Sequence, residues 1–184
     1  MDWDTFKSLI GKLERDGEYK FCLLITIGVF TGLRISDLLK LRFSQFENTD
    51  ILIIEEQKTK KTRRIKINSD LRQIVERVKR RMVGTNTDQY IFLNKYGTKP
   101  IDKSYVNVKL KEILKRYNIV LEGNASSHLF RKTLGNRVLR LNNYSNEAVI
   151  LLMECFSHGS PLTTRRYLGI REKEIMDVYD SLRL

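Results

Sequence analysis

The stretch from Phe21 to Leu33, "FCLLITIGVFTGL", is apolar all round and carries no charge. A helix of that composition has no face to offer water, so it must sit at the centre of whatever the chain builds. The run is shorter than a membrane span and holds two threonines and two glycines, which makes it a core helix. The pattern predicts this helix over residues 18–30. It closes at Thr31-Gly32, because Gly32 can take the left-handed conformation that ends a helix.

Other elements then have to pack around it. Residues 2–14 carry Trp3, Phe6, Leu9, Ile10 and Leu13 at three- and four-residue steps, the mark of an amphipathic helix. Ser36 offers an N-cap for a short helix running through Phe46. Residues 50–57 and 63–69 read as two strands, joined by the basic hairpin tip "KTKKT". Further helices are predicted at 70–82, 102–118, 128–141 and 146–156, with a terminal helix over 171–184. The fold class is mainly α with a small antiparallel β-sheet (α+β), expected as a single domain over residues 1–184.

The charge narrows the partners. Lys and Arg number 34 against 22 Asp and Glu, a net charge of +12, which favours a polyanion. No strongly amphipathic basic helix of the membrane-surface kind accompanies it, so the lipid reading is weak. Cys22 and Cys155 lie in apolar helical patterns without partners at metal-ligand spacing. They are expected to be buried free thiols in a reducing, cytoplasmic compartment.

Four stretches set polar residues beside apolar runs. In "TGLR", Arg34 follows a glycine turn and projects from a rigid corner, with Asp37 one helical turn onward to orient it. In "SSHLFRKT", His128 and Arg131 are three apart and share an outward helix face. Ser126 or Ser127 can cap that helix, while Leu129, Phe130 and Leu134 pack inward. The hairpin tip crowds Lys58, Lys60 and Lys61 together. In "SHGSPLTTRRY", His158 and Tyr167 stand nine positions apart. A straight helix turns through about 900° over that step, leaving them on opposite faces. Gly159 and Pro161 permit the bend that lets them meet, and Thr163 or Thr164 can cap the turn that presents Tyr167. Taken singly, each stretch is explained better by capping, packing or solvated charge.

Taken together and in this order, the four resemble the catalytic domain of the tyrosine recombinases, the phage integrase family. The resemblance runs from about residue 2 to the C-terminus, and both histidines of the chain fall on motif positions. It implies the fold shared by tyrosine recombinases and type IB topoisomerases. It makes Arg34 and Arg131 the two catalytic arginines, Lys58 the hairpin lysine, His128 and His158 the two site histidines, and Tyr167 the nucleophile. Asp37 matches the acidic residue that often follows the first arginine. Lys60, Lys61, Arg63, Lys132, Arg165 and Arg166 are expected DNA contacts, with the basic residues of 72–81 and 103–116 on the DNA backbone. Two departures stand out: Ser157 where a glycine usually precedes the second histidine, and Lys132 where a histidine often follows the second arginine.

These residue types suit phosphodiester chemistry. Two rigid guanidiniums match the charge that collects on the non-bridging oxygens. A phenol with an ordinary pKa near 10 needs a base or cationic surroundings to attack phosphorus. His128 is the candidate proton acceptor, His158 a donor to a non-bridging oxygen, and Lys58 the acid for the departing 5′ oxygen. The sequence has no Gly-rich phosphate loop, carboxylate cluster or Cys/His set, so neither cofactor nor metal is expected. The implied partner is double-stranded DNA, with self-assembly into a tetramer on it. The DNA-binding domain that usually precedes the catalytic domain is absent from this chain, so weak and poorly specific binding is expected. A type IB topoisomerase-like relaxation activity and a non-catalytic DNA-binding module are the alternatives. The intact set of six residues argues against the second. The terminal helix, with Ile175, Met176, Val178 and Leu182, either docks on a neighbour or covers its own domain.

Overall fold

A computed structural model of the chain describes residues 1–82, 84, 86–121 and 123–182, without the side chains of 171–173. The last two residues of the predicted terminal helix therefore lie outside the described residues.

Helix α1 (Trp3–Arg15) begins at Asp2, whose carboxylate accepts the Thr5 N–H at 2.8 Å. Helix α2 (Tyr19–Thr31) is buried along nearly its whole length and closes at Gly32, with φ 60° and ψ 23°. Helices α4 (Ser69–Arg81) and α5 (Lys103–Arg116) start on the side-chain caps of Asn68 and Asp102. Their apolar sides join α1 and α2 in one large core cluster. The all-apolar helix thus ends up at the centre because each amphipathic neighbour has only one face to spend on it.

Helix α6 (His128–Leu141) belongs to two cores. Its first turns place Leu129 and Phe130 in the large cluster. Farther along, Leu139 joins Ala148, Val149, Leu152 and Phe156 of α7 (Asn146–Phe156) in a smaller one. Tyr167 and Leu168 of α8 (Pro161–Leu168) pack on that second cluster. Helix α9 (Ile170–Ser181) follows and leaves Ile175, Met176, Val178 and Tyr179 exposed, so these side chains do not form a cover over their own domain.

The sheet is a single antiparallel pair, β1 (Ile51–Glu55) and β2 (Thr62–Lys66), with Ile51 opposite Lys66 and Glu55 opposite Thr62. The strands are shorter than the sequence pattern predicts. Lys60 takes a left-handed φ of 56°, and its N–H donates to the Glu56 carbonyl at 2.9 Å, while the Glu56 N–H donates to Lys61 at 3.0 Å. That turn removes Glu56 and Gln57 from the ladder.

Two further expectations need correction. The helix expected from Ser36 through Phe46 is only four residues long: α3 spans Ile35–Leu38 and its N-cap position is Arg34. A separate 3-10 turn covers Phe43–Phe46. Between them Arg42 is extended and bridges Tyr90, because Leu38, Leu39, Leu41 and Phe43 must all be buried and one helix face cannot hold them. Cys155 is exposed, whereas Cys22 is buried. On α7 the row Ala148, Leu152 and Phe156 faces the core, and Cys155 falls on the neighbouring row beside exposed Leu151.

Helices α2 and α6 approach closely at Gly28, where an added Cβ would lie 2.5 Å from Cδ2 of the fully packed Phe130 ring. Alanine gains about 1 kcal/mol of helix propensity there, but overpacking against an immobile ring costs about 1–3 kcal/mol. Gly28→Ala is therefore expected to lower stability, read as a reduced midpoint of urea unfolding; an unchanged or raised midpoint would refute the close approach.

Candidate active site

The site lies on the seam between the two cores, where the C-terminal end of α7 meets the start of α6 and the chain after α2. The last carbonyls of a helix have no partner within it and carry the negative end of its dipole. Here guanidiniums take them. Arg34 Nη2 donates to Phe156 at 3.2 Å and Ser157 at 3.4 Å, and Arg131 Nη2 donates to the same Phe156 carbonyl at 2.6 Å. The Phe156 ring also lies under the Arg131 guanidinium, 4.6 Å from Cζ to the ring centre. Arg131 is 5% exposed, so the outward His128/Arg131 face expected from the spacing is corrected: His128 points out and Arg131 points in. Arg131 Nε is buried with no partner among the described residues.

Between His158 and Tyr167 the chain bends at Gly159, as expected. Just before His158, Ser157 closes α7 in the left-handed conformation, at φ 50° and ψ 47°. Glycine is the residue that adopts this geometry without strain. Pro161 opens α8 at its first turn, and Ser160, not a threonine, caps it by accepting the Thr163 N–H at 3.2 Å. Thr164 is buried and its Oγ1 lies 3.0 Å from His158 Nδ1. After this reversal the His158 and Tyr167 rings stand edge to face, 5.3 Å between centres. The Tyr167 hydroxyl is 3.2 Å from His128 Nδ1 and 3.3 Å from the His128 carbonyl. Ser127 occupies the N-cap position of α6 without a side-chain cap bond, so the cap expected of it does not form; its N–H instead meets Asn107 Oδ1 at 3.0 Å.

One residue of this site was not anticipated. Glu56, at the end of β1, is fully buried. Its Oε2 accepts from Arg34 Nη1 at 2.7 Å and from the Thr59 hydroxyl at 2.6 Å, and its Oε1 faces Arg63 Nη1 at 3.3 Å. Asp37 was expected to orient Arg34. It does not: its Oδ1 accepts the Gln57 N–H at 3.0 Å, and so fixes the chain just after Glu56. Arg63 is likewise corrected as a DNA contact, since it turns inward to Glu56 and to the Thr31 carbonyl at 3.3 Å. The only sequence signal for Glu56 is strand alternation, which puts it in phase with Leu52 and Ile54 on the buried face.

The other predicted residues divide by position. Lys58, Lys60 and Lys61 are exposed on the hairpin loop, and Lys58 makes no hydrogen bond or ion pair with a described residue. Lys132 Nζ lies 5.9 Å from the centre of the Tyr167 ring. Arg165 is engaged by Glu174 and Asn146, whereas Arg166 is exposed. Among the described residues no group of three or more His, Cys, Asp or Glu is arranged to hold a metal ion.

Crowding cations in a half-buried place shifts the titrations. Burial, then the charges of Arg131 and Arg34, pushes His158 down to about 4, so it is neutral at pH 7. Burial and the charges of Lys103, Arg131 and Lys132 lower His128 as well. Burial lowers Arg131 to about 10, and burial raises Tyr167 despite the two nearby arginines. For Glu56, burial opposes ionisation, but hydrogen bonds from Thr59, Ser157 and Arg34 outweigh it and bring the carboxyl to about 2.

This architecture is that of the catalytic domains of site-specific tyrosine recombinases. The crystal structure of XerA recombinase matches with a TM-score of 0.71 at 20% identity, over 100% of this chain and 65% of that one. XerH bound to palindromic difH substrate, a post-cleavage complex, matches with a TM-score of 0.69 at 18% identity, over 98% of this chain and 52% of that one. The model of the phage integrase family matches residues 1–174, and the chain belongs to that family. Among curated proteins, the probable integrase/recombinase YoeC of Bacillus subtilis (strain 168) is 30% identical over 171 residues, 93% of this chain and 86% of that protein. Tyrosine recombinase XerH of Campylobacter jejuni is 29% identical over 148 residues, which are 79% of this chain but 40% of XerH.

The two histidines can be followed separately by the NMR signals of their ring Cε1–H groups. His158 is expected to titrate near pH 4, and Arg34→Gln to raise it by removing a like charge. Because the folded value lies below the unfolded one of about 6.5, the neutral imidazole's contribution to stability is complete above that pH and declines as pH falls through 4. A His158 midpoint at 6.5 or above would contradict the described surroundings.

Proposed function

We propose that this domain breaks and rejoins double-stranded DNA by transesterification through Tyr167, as the catalytic part of a site-specific recombinase. The observation that carries the reading is convergence. A tyrosine hydroxyl, a histidine nitrogen 3.2 Å from it and two guanidiniums sharing one carbonyl all border the same half-buried place.

In the proposed reaction a non-bridging phosphate oxygen takes the outward donors of Arg34 and Arg131, with neutral His158 beside them. The Tyr167 oxygen attacks phosphorus and its proton passes to His128 Nδ1. The bond from phosphorus to the 5′ oxygen breaks, and Lys58 supplies the proton to that oxygen. A 3′-phosphotyrosyl link and a free 5′ hydroxyl result. One phosphodiester has replaced another, so attack by a second 5′ hydroxyl reverses the step and, with an exchanged strand, completes recombination. Tyr167 is held by a histidine of its own chain, which supports action within one protomer.

The exposed row Ile175, Met176, Val178 and Tyr179 on α9 supports self-assembly on DNA, for which we propose a tetramer. No helix among the described residues is long and apolar enough to cross a membrane, and a DNA substrate favours a cytoplasmic setting. Lys60, Lys61, Lys132 and Arg166 remain the proposed contacts to the DNA backbone.

Incubation with a nicked duplex whose short 5′ product diffuses away traps the covalent intermediate. A protein–DNA adduct that survives denaturation is expected for the wild type and not for Tyr167→Phe. Adduct in the phenylalanine variant would remove Tyr167 as nucleophile. Arg131→Ala is expected to reduce the rate of adduct formation by about 100-fold or more, since it removes a preorganised donor to the phosphate. Binding without cleavage should weaken steeply with added salt.

A further inference from the structure

We infer that Glu56 is a positioning residue of this site, tying the loop that carries Lys58 to Arg34 and to the turn before His158. The inference rests on the transesterification reading above and extends it to a residue that touches no reacting atom. Glu56 stands two positions before Lys58, at the root of the hairpin loop. Its main chain closes that loop through Lys60 and Lys61, at 2.9 and 3.0 Å. Its carboxylate reaches out of the loop to Arg34 and back into it to Thr59, at 2.7 and 2.6 Å. The same carboxylate pairs with Arg63 of β2.

A buried carboxylate among cations has two effects. It holds one edge of the Arg34 guanidinium, so that Nη2 is directed at Phe156 and Ser157. It also gives the otherwise exposed loop one buried anchor, through Thr59, one residue from Lys58. Without the anchor, Lys58 would sample a wide arc, and a proton donor that is rarely in place contributes little to leaving-group departure. Ser157 fits the same picture: the carbonyl of this left-handed residue accepts from the Arg34 guanidinium that Glu56 holds by its other nitrogen.

The test uses two nicked duplexes, one with the ordinary bridging 5′ oxygen and one with sulfur in its place. A thiolate leaves without a proton, so the sulfur substrate does not need Lys58. Glu56→Gln is expected to slow adduct formation on the oxygen substrate by at least about tenfold, with affinity for the duplex undiminished. Because a broken buried ion pair can prevent folding, Thr59→Val, which removes only the hydroxyl tie, carries the decision. It should be about tenfold slower on oxygen yet within about twofold of wild type on sulfur. Equal rates of Thr59→Val and wild type on oxygen, or equal losses on both substrates, overturn the inference. An independent readout is amide hydrogen exchange at Lys60, expected to quicken by about tenfold in Thr59→Val as the loop loosens. Unchanged exchange there also overturns it. Failure of the wild type to form adduct on either substrate counts against the Tyr167 reading, and the exchange result still decides whether Glu56 anchors the loop.

Discussion

The carbonyl of Phe156 is the point on which the site depends. Helix α7 ends there, and its terminal carbonyls receive donors from Arg34 and Arg131, two residues almost a hundred positions apart. The contact satisfies a buried helix end and fixes two cations side by side at once. It also anchors the turn at Ser157, from which the chain reverses into His158 and α8. If α7 ended one residue earlier or later, the arginines would lose their common acceptor and Tyr167 would face another way.

The second determinant is charge. Arg34, Arg63, Arg131 and Lys132 gather around a place that holds the buried carboxylate of Glu56. Burial brings Arg131 down to about 10, and burial with the charges of Arg131 and Arg34 brings His158 down to about 4. Such a site gains most from an oxyanion, which relieves the repulsion and accepts the donors together. Burial first, and then these cations, lowers both histidines. A neutral imidazole at His128 can take a proton from a phenol, whereas an imidazolium cannot.

Much of this was legible in the sequence, because the relevant signals are local. Apolar spacing located α1, α2 and α4 to α7 to within a residue or two, and Gly32 marked the end of α2. The order of the short motifs points to Arg34, His128, Arg131, His158 and Tyr167, and the fold brings those five together. Less was legible where several apolar residues compete for burial. Leu38 to Phe43 looked helical, yet tertiary packing split the segment into α3 and a 3-10 turn. Cys155 looked buried, but α7 has two apolar rows and only one of them finds a core.

The sequence by itself determined where the long helices α1, α2 and α4 to α7 form and which residue types are available for phosphate chemistry, because helix periodicity, caps and motif spacing act over a few residues. Only the tertiary structure decided who holds whom. It gave Arg34 to Glu56 and not to Asp37, turned Arg63 inward, buried Arg131 beside exposed His128, and set a left-handed turn at Ser157 ahead of the bend at Gly159. The physical reason is that a carboxylate or guanidinium has many chemically suitable partners along a chain. Which one it meets depends on the packing of helices far apart in sequence, and on where desolvation leaves a charge no alternative but to be paired.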